Sequence, residues 1–113
     1  MRISELEKAL GARLVQAKFE DRDLSGAYTS DLLSDVMGKA EADSVLITIQ
    51  AHKNTVAVAS LLGLGAVVLC NDRPIPEDMV QAAAAEGIAI LTTPLSQFEV
   101  SGRLWPELGK SGA

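Results

Sequence analysis

Apolar and polar positions in the second half of the chain alternate in blocks of strand and helix length. Apolar runs predict three strands, at Val45 to Ile49, Ala66 to Cys70 and Ile88 to Leu91. Helical patterns follow these strands at 54–62, 76–86 and 96–104. This order is typical of βαβ units. Because the runs are apolar throughout, we expect an α/β fold with a mostly parallel sheet that has helices on both faces.

The first half of the chain predicts shorter elements. We expect a helix over Ile3 to Leu10, a strand over Arg13 to Ala17 and an extended segment over Gly26 to Ser30. A short helix over Leu32 to Met37 then ends at Gly38. With no linker long enough to separate two folds, the sequence predicts a single domain over residues 1–108 and a flexible tail over 109–113.

Capping residues predict where the helices begin and end. We expect Ser4, Asn54 and Ser96 to act as N-caps, with Ser30 or Asp31 capping the short helix in the first half. Gly11 stands where a left-handed C-cap forms, and Gly63 and Gly87 are expected to end the helices that precede them. Pro76 is expected at the first helical position, and Pro106 is expected to stop the last helix.

Charge and composition exclude several classes of function. The chain has 113 residues with 10 basic and 15 acidic side chains, which gives a net charge of −5. Because phosphate neutralisation needs clustered Lys and Arg, nucleic acid and anionic membranes are not expected partners. The lone Cys70 cannot form an intramolecular disulfide and is expected to be a buried small hydrophobe. With no signal-peptide or membrane-span pattern, the expected location is cytoplasmic.

Polar residues follow each predicted strand, at the edge of a parallel sheet where ligands bind. Loops at this carboxyl edge meet helix N-termini, which attract anions. Tyr28, Ser30 and Asp31 join the edge if the Gly26 to Ser30 strand runs in the same direction. The predicted ligand-binding residues are Gln50, His52, Lys53, Asn54, Asn71, Asp72, Arg73, Thr93, Tyr28, Ser30 and Asp31.

The same residues have structural interpretations that compete with the functional ones. His52, the only histidine, is a potential phospho-acceptor or general base, but a residue at a helix entry without catalytic duty is the favoured interpretation. Lys53 and Arg73 either clamp a phosphate or carboxylate, or are solvated loop charges. Asp31 and Asp35 have the i, i+4 spacing of paired metal ligands, but no third ligand follows. We therefore predict no catalytic residue, no metal and no cofactor.

The helix predicted at 54–62 is apolar almost all round, whereas one sheet face covers only one stripe of a helix. Either the N-terminal helices or a second copy of the chain must bury the remainder. A homodimer is therefore expected, through this helix or through the last helix around Phe98 and Trp105.

Three segments resemble the DRTGG domain family: GAYTSDLLSDVMG at 26–38, ITIQAHKN at 47–54 and VAVASL at 56–61. The resemblance implies a fold similar to the N-terminal domain of HPr kinase/phosphorylase. It also implies a regulatory or dimer-forming role, as in the related domains that accompany CBS pairs in regulated pyrophosphatases or precede the catalytic part of some phosphotransacetylases. Short stand-alone members are often encoded beside iron-hydrogenase components in anaerobic bacteria, which implies a redox-enzyme partner.

The chain departs from the signature that names this family. His52-Lys53-Asn54 stands where many members have an Asp-Arg pair, and Asn71-Asp72-Arg73 stands where they have Thr-Gly-Gly. The preferred hypothesis is a non-catalytic regulatory or assembly module, homodimeric, with a pocket for a small anion or nucleotide at the carboxyl edge. The alternatives are an accessory enzyme or phosphotransfer acceptor that uses His52, and a structural adaptor with no ligand.

Overall fold

A five-stranded sheet with helices on both faces forms the fold in the computed structural model, which describes residues 1–109. The strands are β1 (Arg13–Gln16), β2 (Gly26–Thr29), β3 (Ser44–Thr48), β4 (Ala66–Leu69) and β5 (Ala89–Thr92). The helices are α1 (Leu6–Leu10, after a 3-10 turn at Ile3–Glu5), α2 (Leu33–Lys39), α3 (Lys53–Leu62), α4 (Glu77–Glu86) and α5 (Gln97–Leu108). The tail predicted at 109–113 lies outside the described residues apart from Gly109.

The strand order β1-β5-β4-β3-β2 confirms the predicted sheet. Strands β2 to β5 are parallel neighbours, because each is followed by a helix that returns the chain to the amino end of the sheet. β1 is antiparallel to β5 and forms one edge of the sheet, while β2 forms the other. All four parallel strands therefore end on the same side of the sheet, which is the carboxyl edge and is distinct from the edge strands β1 and β2.

Two apolar clusters, one on each face of the sheet, make the core. Val45 and Ile47 of β3 join the cluster under α1 and α5, whereas Leu46 joins the cluster under α2, α3 and α4. Because successive strand residues point to opposite faces, a strand buried on both sides must be apolar throughout. All five residues of β3 are buried, which explains the absence of alternation in the sequence.

Several predicted helix starts are wrong, because one predicted cap is bonded elsewhere, another is replaced by a neighbouring side chain, and two helices begin without a side-chain cap. Ser4 instead donates its hydroxyl to Asp21 Oδ2 at 2.6 Å, and the first turn follows Arg2. α2 begins after Leu32, with no side-chain cap from Ser30 or Asp31. α3 is capped by His52, not by Asn54. Pro76 is the N-cap of α4 and not its first helical residue.

The predicted capping box at the start of α5 is confirmed, but the predicted end of this helix is wrong. Ser96 Oγ accepts from the Glu99 N–H at 3.1 Å. The helix continues through Pro106 to Leu108, and the Gly109 N–H still donates to the Trp105 carbonyl at 2.9 Å. Because Leu108 is 3% exposed, its burial offsets the hydrogen bond that Pro106 cannot make.

The apolar circumference of α3 is covered within the chain. α3 packs against α4 on one side and α2 on another, in addition to β4. Leu61 is the large side chain of α3 that remains exposed, at 71%. A second copy of the chain is therefore not needed to cover α3. Within residues 1–109, no helix is long and apolar enough to cross a membrane.

Candidate functional site

The carboxyl ends of β2 and β3 are joined by hydrogen bonds between their loops. The Ser30 N–H donates to the Ile47 carbonyl at 3.1 Å, which extends the pairing of the two strands. Gln50 Nε2 donates to the Asp31 carbonyl at 2.7 Å. These bonds place Ser30, Asp31 and Gln50 together at this edge, as predicted from a parallel sheet.

The loop after β4 is held by the loop after β5. The Asn71 N–H donates to the Leu95 carbonyl and the Asp72 N–H to the Thr93 carbonyl, both at 2.9 Å. Asn71 and Asp72 have φ angles of 60° and 53°, a left-handed conformation that Asn and Asp adopt more readily than other side chains. This turn leaves the side chains of Asn71, Asp72 and Arg73 exposed.

His52 acts as a structural cap at the start of α3. Its Nδ1 accepts a hydrogen bond from the Asn54 N–H at 3.0 Å, so that N–H is not free for a ligand. The neutral ring then carries its proton on Nε2. Within residues 1–109 no carboxylate hydrogen-bonds to this ring, and an orienting carboxylate is what a general base usually needs.

Two members of the predicted set are held by intramolecular bonds. Thr93 is 1% exposed, and its Oγ1 accepts from the Leu95 N–H at 3.2 Å. Tyr28 lies within β2, and its hydroxyl donates to Asp35 Oδ2 at 2.6 Å. The bond to the Asp35 carboxylate raises the pKa of Tyr28. Tyr28 therefore fastens α2 to β2, and its hydroxyl is already engaged with Asp35.

Two predicted cations remain available at this edge. The ion pairs in the described part of the chain join Arg2 to Asp21 and Arg22 to Asp43, so they involve neither Lys53 nor Arg73. Lys53 and Arg73 are both exposed. Over the same part of the chain, no three His, Cys, Asp or Glu side chains cluster to hold a metal ion.

Arg13 was missed as a candidate in the sequence. Because β1 runs antiparallel, its first residue pairs with Thr92 at the carboxyl end of β5. Arg13 therefore lies at the same sheet edge as Lys53 and Arg73. The residues of a short edge strand do not indicate its direction, so the sequence pattern leaves the position of this cation open.

The larger of the two described cavities lies away from the carboxyl edge. It is a groove of about 460 Å³ beside β2, and its lining includes Tyr28, Lys39 and Trp105. A second groove of about 310 Å³ between α3 and α4 includes Lys53 and Asn54. The carboxyl edge is thus a surface with cations, and neither groove is lined by His52 or Arg73.

Comparison with known proteins supports the fold more than a particular activity. No family model matches the chain. A segment of 39 residues, 34% of this chain and 13% of the relative, is 49% identical to HPr kinase/phosphorylase of Streptococcus uberis. The fold is similar, with a TM-score of 0.72 and 12% identity, to the CBS and DRTGG domains of the regulatory region of Clostridium perfringens pyrophosphatase.

That pyrophosphatase region was solved in complex with an activator, diadenosine tetraphosphate. The match covers 90% of this chain and 45% of the solved chain, so this chain spans less than half of its neighbour. Together with the HPr kinase segment, the match fits a DRTGG-like domain. The resemblance stated from the sequence is therefore confirmed at the level of the fold.

Proposed function

We propose that this chain is a non-catalytic regulatory module that binds a small phosphorylated ligand, with nucleotides as the leading class. The fold is similar to part of a regulatory region, 45% of the solved chain, and that region takes a nucleotide activator, which supports this role. His52 serves as a helix cap, and Cys70 is buried. Neither group is arranged as an activated nucleophile, which favours a binding role over turnover.

The observation that carries the proposal is the pair of available cations at the carboxyl edge. Lys53 is the first residue of α3, where the positive end of the helix dipole also favours an anion. Arg73 follows the next strand and offers a planar fork for phosphate oxygens. Gln50, Asn54 and Asn71 supply neutral polar groups beside the cations. We propose that these five side chains form the ligand site.

Homodimerisation is part of the same proposal. Phe98 and Trp105 on α5 are 87% and 63% exposed. The exposed apolar surface that favours a second copy therefore lies mainly on α5 and not on α3. A redox-enzyme partner stays a prediction from the family resemblance. Regulation by such a module requires two distinct sites, and binding of the ligand at one site must change the affinity for the partner at the other.

A thermal-shift screen of nucleotides and phosphorylated metabolites tests the proposal. At a ligand concentration of about 100 times the Kd, binding stabilises the native state by about 2.7 kcal/mol. In a domain of this size that raises the Tm by about 10 °C. The variant Lys53→Ala with Arg73→Ala should lose the shift. The matched control, Lys8→Ala with Lys18→Ala, removes the same charge from exposed positions and should keep the shift.

Four results would contradict parts of the proposal. A shift that persists in the Lys53 and Arg73 variant would refute the carboxyl-edge site, and its loss in Lys39→Ala would move the ligand to the groove beside β2. Phosphatase, kinase or acyl-transfer turnover that disappears in His52→Ala would refute the non-catalytic role. The absence of any shift across the screen would refute the binding of a nucleotide or phosphorylated metabolite.

A further inference from the structure

The outer side of β2 is an open sheet edge. The Ser30 N–H donates to the Ile47 carbonyl of β3, so in the alternation of a parallel pair the peptide groups of Ala27 and Thr29 point away from β3. The strand sequence Gly-Ala-Tyr-Thr contains no proline and no charge. Proline and charged side chains are features that natural edge strands use to prevent pairing with another strand, and β2 has neither.

The opposite edge of the sheet has such protection. β1 begins with Arg13 and carries a register shift between Leu14 and Gln16, which interrupts the ladder with β5. A charge and a bulge both oppose the addition of another strand. The two edges of one sheet therefore differ, and β2 is the edge suited to pairing.

Four of the five exposed large apolar side chains in residues 1–109 lie on α5, on α2 or next to the start of α2. Leu32 and Met37, at the start of α2 and within it, are 61% and 49% exposed. Phe98 and Trp105 of α5 lie seven residues apart and so share one side of that helix. Leu61 on α3 is the remaining member of this set in residues 1–109.

Direct contacts place both helices beside β2. Ser101 lies between Phe98 and Trp105 in α5, and its hydroxyl is 2.7 Å from Thr29 Oγ1. Tyr28 bonds Asp35 of α2 on the other sheet face. The groove of about 460 Å³ lies beside β2, and its apolar lining includes Leu104 and Trp105 of α5.

We propose that β2 of a second copy of this chain pairs antiparallel with β2 across a two-fold axis, giving one continuous sheet of ten strands. A bare peptide would satisfy the strand edge but would leave the apolar surfaces of α2 and α5 uncovered. A second copy brings both helix layers with its strand, so it can cover the apolar surface on both faces at once.

One pair of charges at the two ends of β2 is also self-complementary. Lys39 lines the groove at the amino end, where Glu41 also lies, and Asp31 follows the carboxyl end. An antiparallel pair places the amino end of one β2 beside the carboxyl end of the other, so Lys39 of one copy approaches Asp31 of the second copy. This inference rests on the homodimer of the proposed function and assigns its surface.

Light scattering with size-exclusion chromatography tests the interface. The wild type should have twice the chain mass of 11.9 kDa at micromolar concentration. Ala27→Lys places a charge on the exposed edge, and Trp105→Ser removes the apolar contact on α5. Each should weaken dimerisation by roughly 100-fold or more, since both act twice in a symmetric interface. Leu61→Ser is the matched control on α3 and should remain dimeric.

Circular dichroism must show that each variant is folded, which is expected because Ala27 and Trp105 are exposed in the monomer. A dimer that survives both variants, or one that Leu61→Ser dissociates, overturns the β2 interface but keeps the homodimer. A wild type that is monomeric at all concentrations refutes the homodimer itself.

Discussion

Gln16 is expected to fasten the edge strand β1 to the rest of the sheet. Its side chain is buried, at 3% exposure, and makes three hydrogen bonds. Nε2 donates to the Ile88 carbonyl at 2.8 Å and to the Lys18 carbonyl at 3.0 Å, while Oε1 accepts from the Lys18 N–H at 2.7 Å. Gln16→Met removes all three bonds at similar volume.

The expected loss follows from the burial of each partner. The Ile88 carbonyl is left without this donor in a buried place, which costs about 1–3 kcal/mol. The two bonds to Lys18 are part-buried and contribute about 0.5–1.5 kcal/mol each. We therefore expect the free energy of unfolding to fall by about 3 kcal/mol and the Tm by about 12 °C.

Urea unfolding followed by circular dichroism measures this change. The slope m should stay constant, because the surface exposed on unfolding is unchanged. Gln81→Met on the exposed face of α4 is the matched control and should shift stability by less than about 0.5 kcal/mol. A loss below about 1 kcal/mol for Gln16→Met would show that these bonds do not hold β1 in place.

Three further predictions concern a C-cap, a thiol and a carboxylate. Gly11 has a φ of 61°, so Gly11→Ala should cost about 1 kcal/mol, whereas Gly38→Ala inside α2 should stabilise by about 0.5–1 kcal/mol in the same urea titration. Burial raises the pKa of Cys70 to about 11, so a thiol reagent at pH 8 should label it only after unfolding, and rapid labelling of the native chain would contradict its burial. Hydrogen bonds from Ser4 lower the pKa of the Asp21 carboxyl to about 2. The stability that the ionised carboxylate gives the folded chain is therefore complete above pH 3.8 and falls as the pH drops towards 2. An acid titration of Asp21→Asn should lack this loss of stability.

The interior strands and their carboxyl edge could be predicted because burial on both faces leaves a direct pattern in the sequence. A run such as Ala66 to Leu69 has no polar position, so it fits a central parallel strand better than an edge. Parallel strands separated by helices must end at one side, which brings Gln50 and Asn71 to the same edge. The order of strands and helices is sufficient for this prediction, without any side-chain position.

Side-chain bonds between distant residues could not be read from local patterns. Ser4 has the sequence context of a cap, but Asp21 takes its hydroxyl. Pro106 has the sequence context of a helix end, but burial of Leu108 outweighs one missing hydrogen bond. Asn54 also has the sequence context of a cap, but His52, two residues earlier, accepts from the Asn54 N–H.

Tertiary packing also decides which apolar helix surfaces stay exposed, and local patterns do not show this. An all-round apolar helix such as α3 indicates a second covering surface but does not identify it. α2 and α4 supply that surface, and they could be assigned to it only once the sheet order was known. Phe98 and Trp105 on α5 are expected from the sequence to pack, at an interface if not in the core, and both are exposed in the single chain.

Isothermal titration calorimetry with ATP and with diadenosine tetraphosphate tests the proposed ligand-binding role most directly. The wild type should bind at least one of them with one site per chain, and the affinity should fall as salt is raised, because the site is cationic. The Lys53→Ala, Arg73→Ala variant should bind neither, while the Lys8→Ala, Lys18→Ala control should bind like the wild type. Equal binding by both double variants, or no heat with either nucleotide at millimolar concentration, would contradict a nucleotide site at the carboxyl edge.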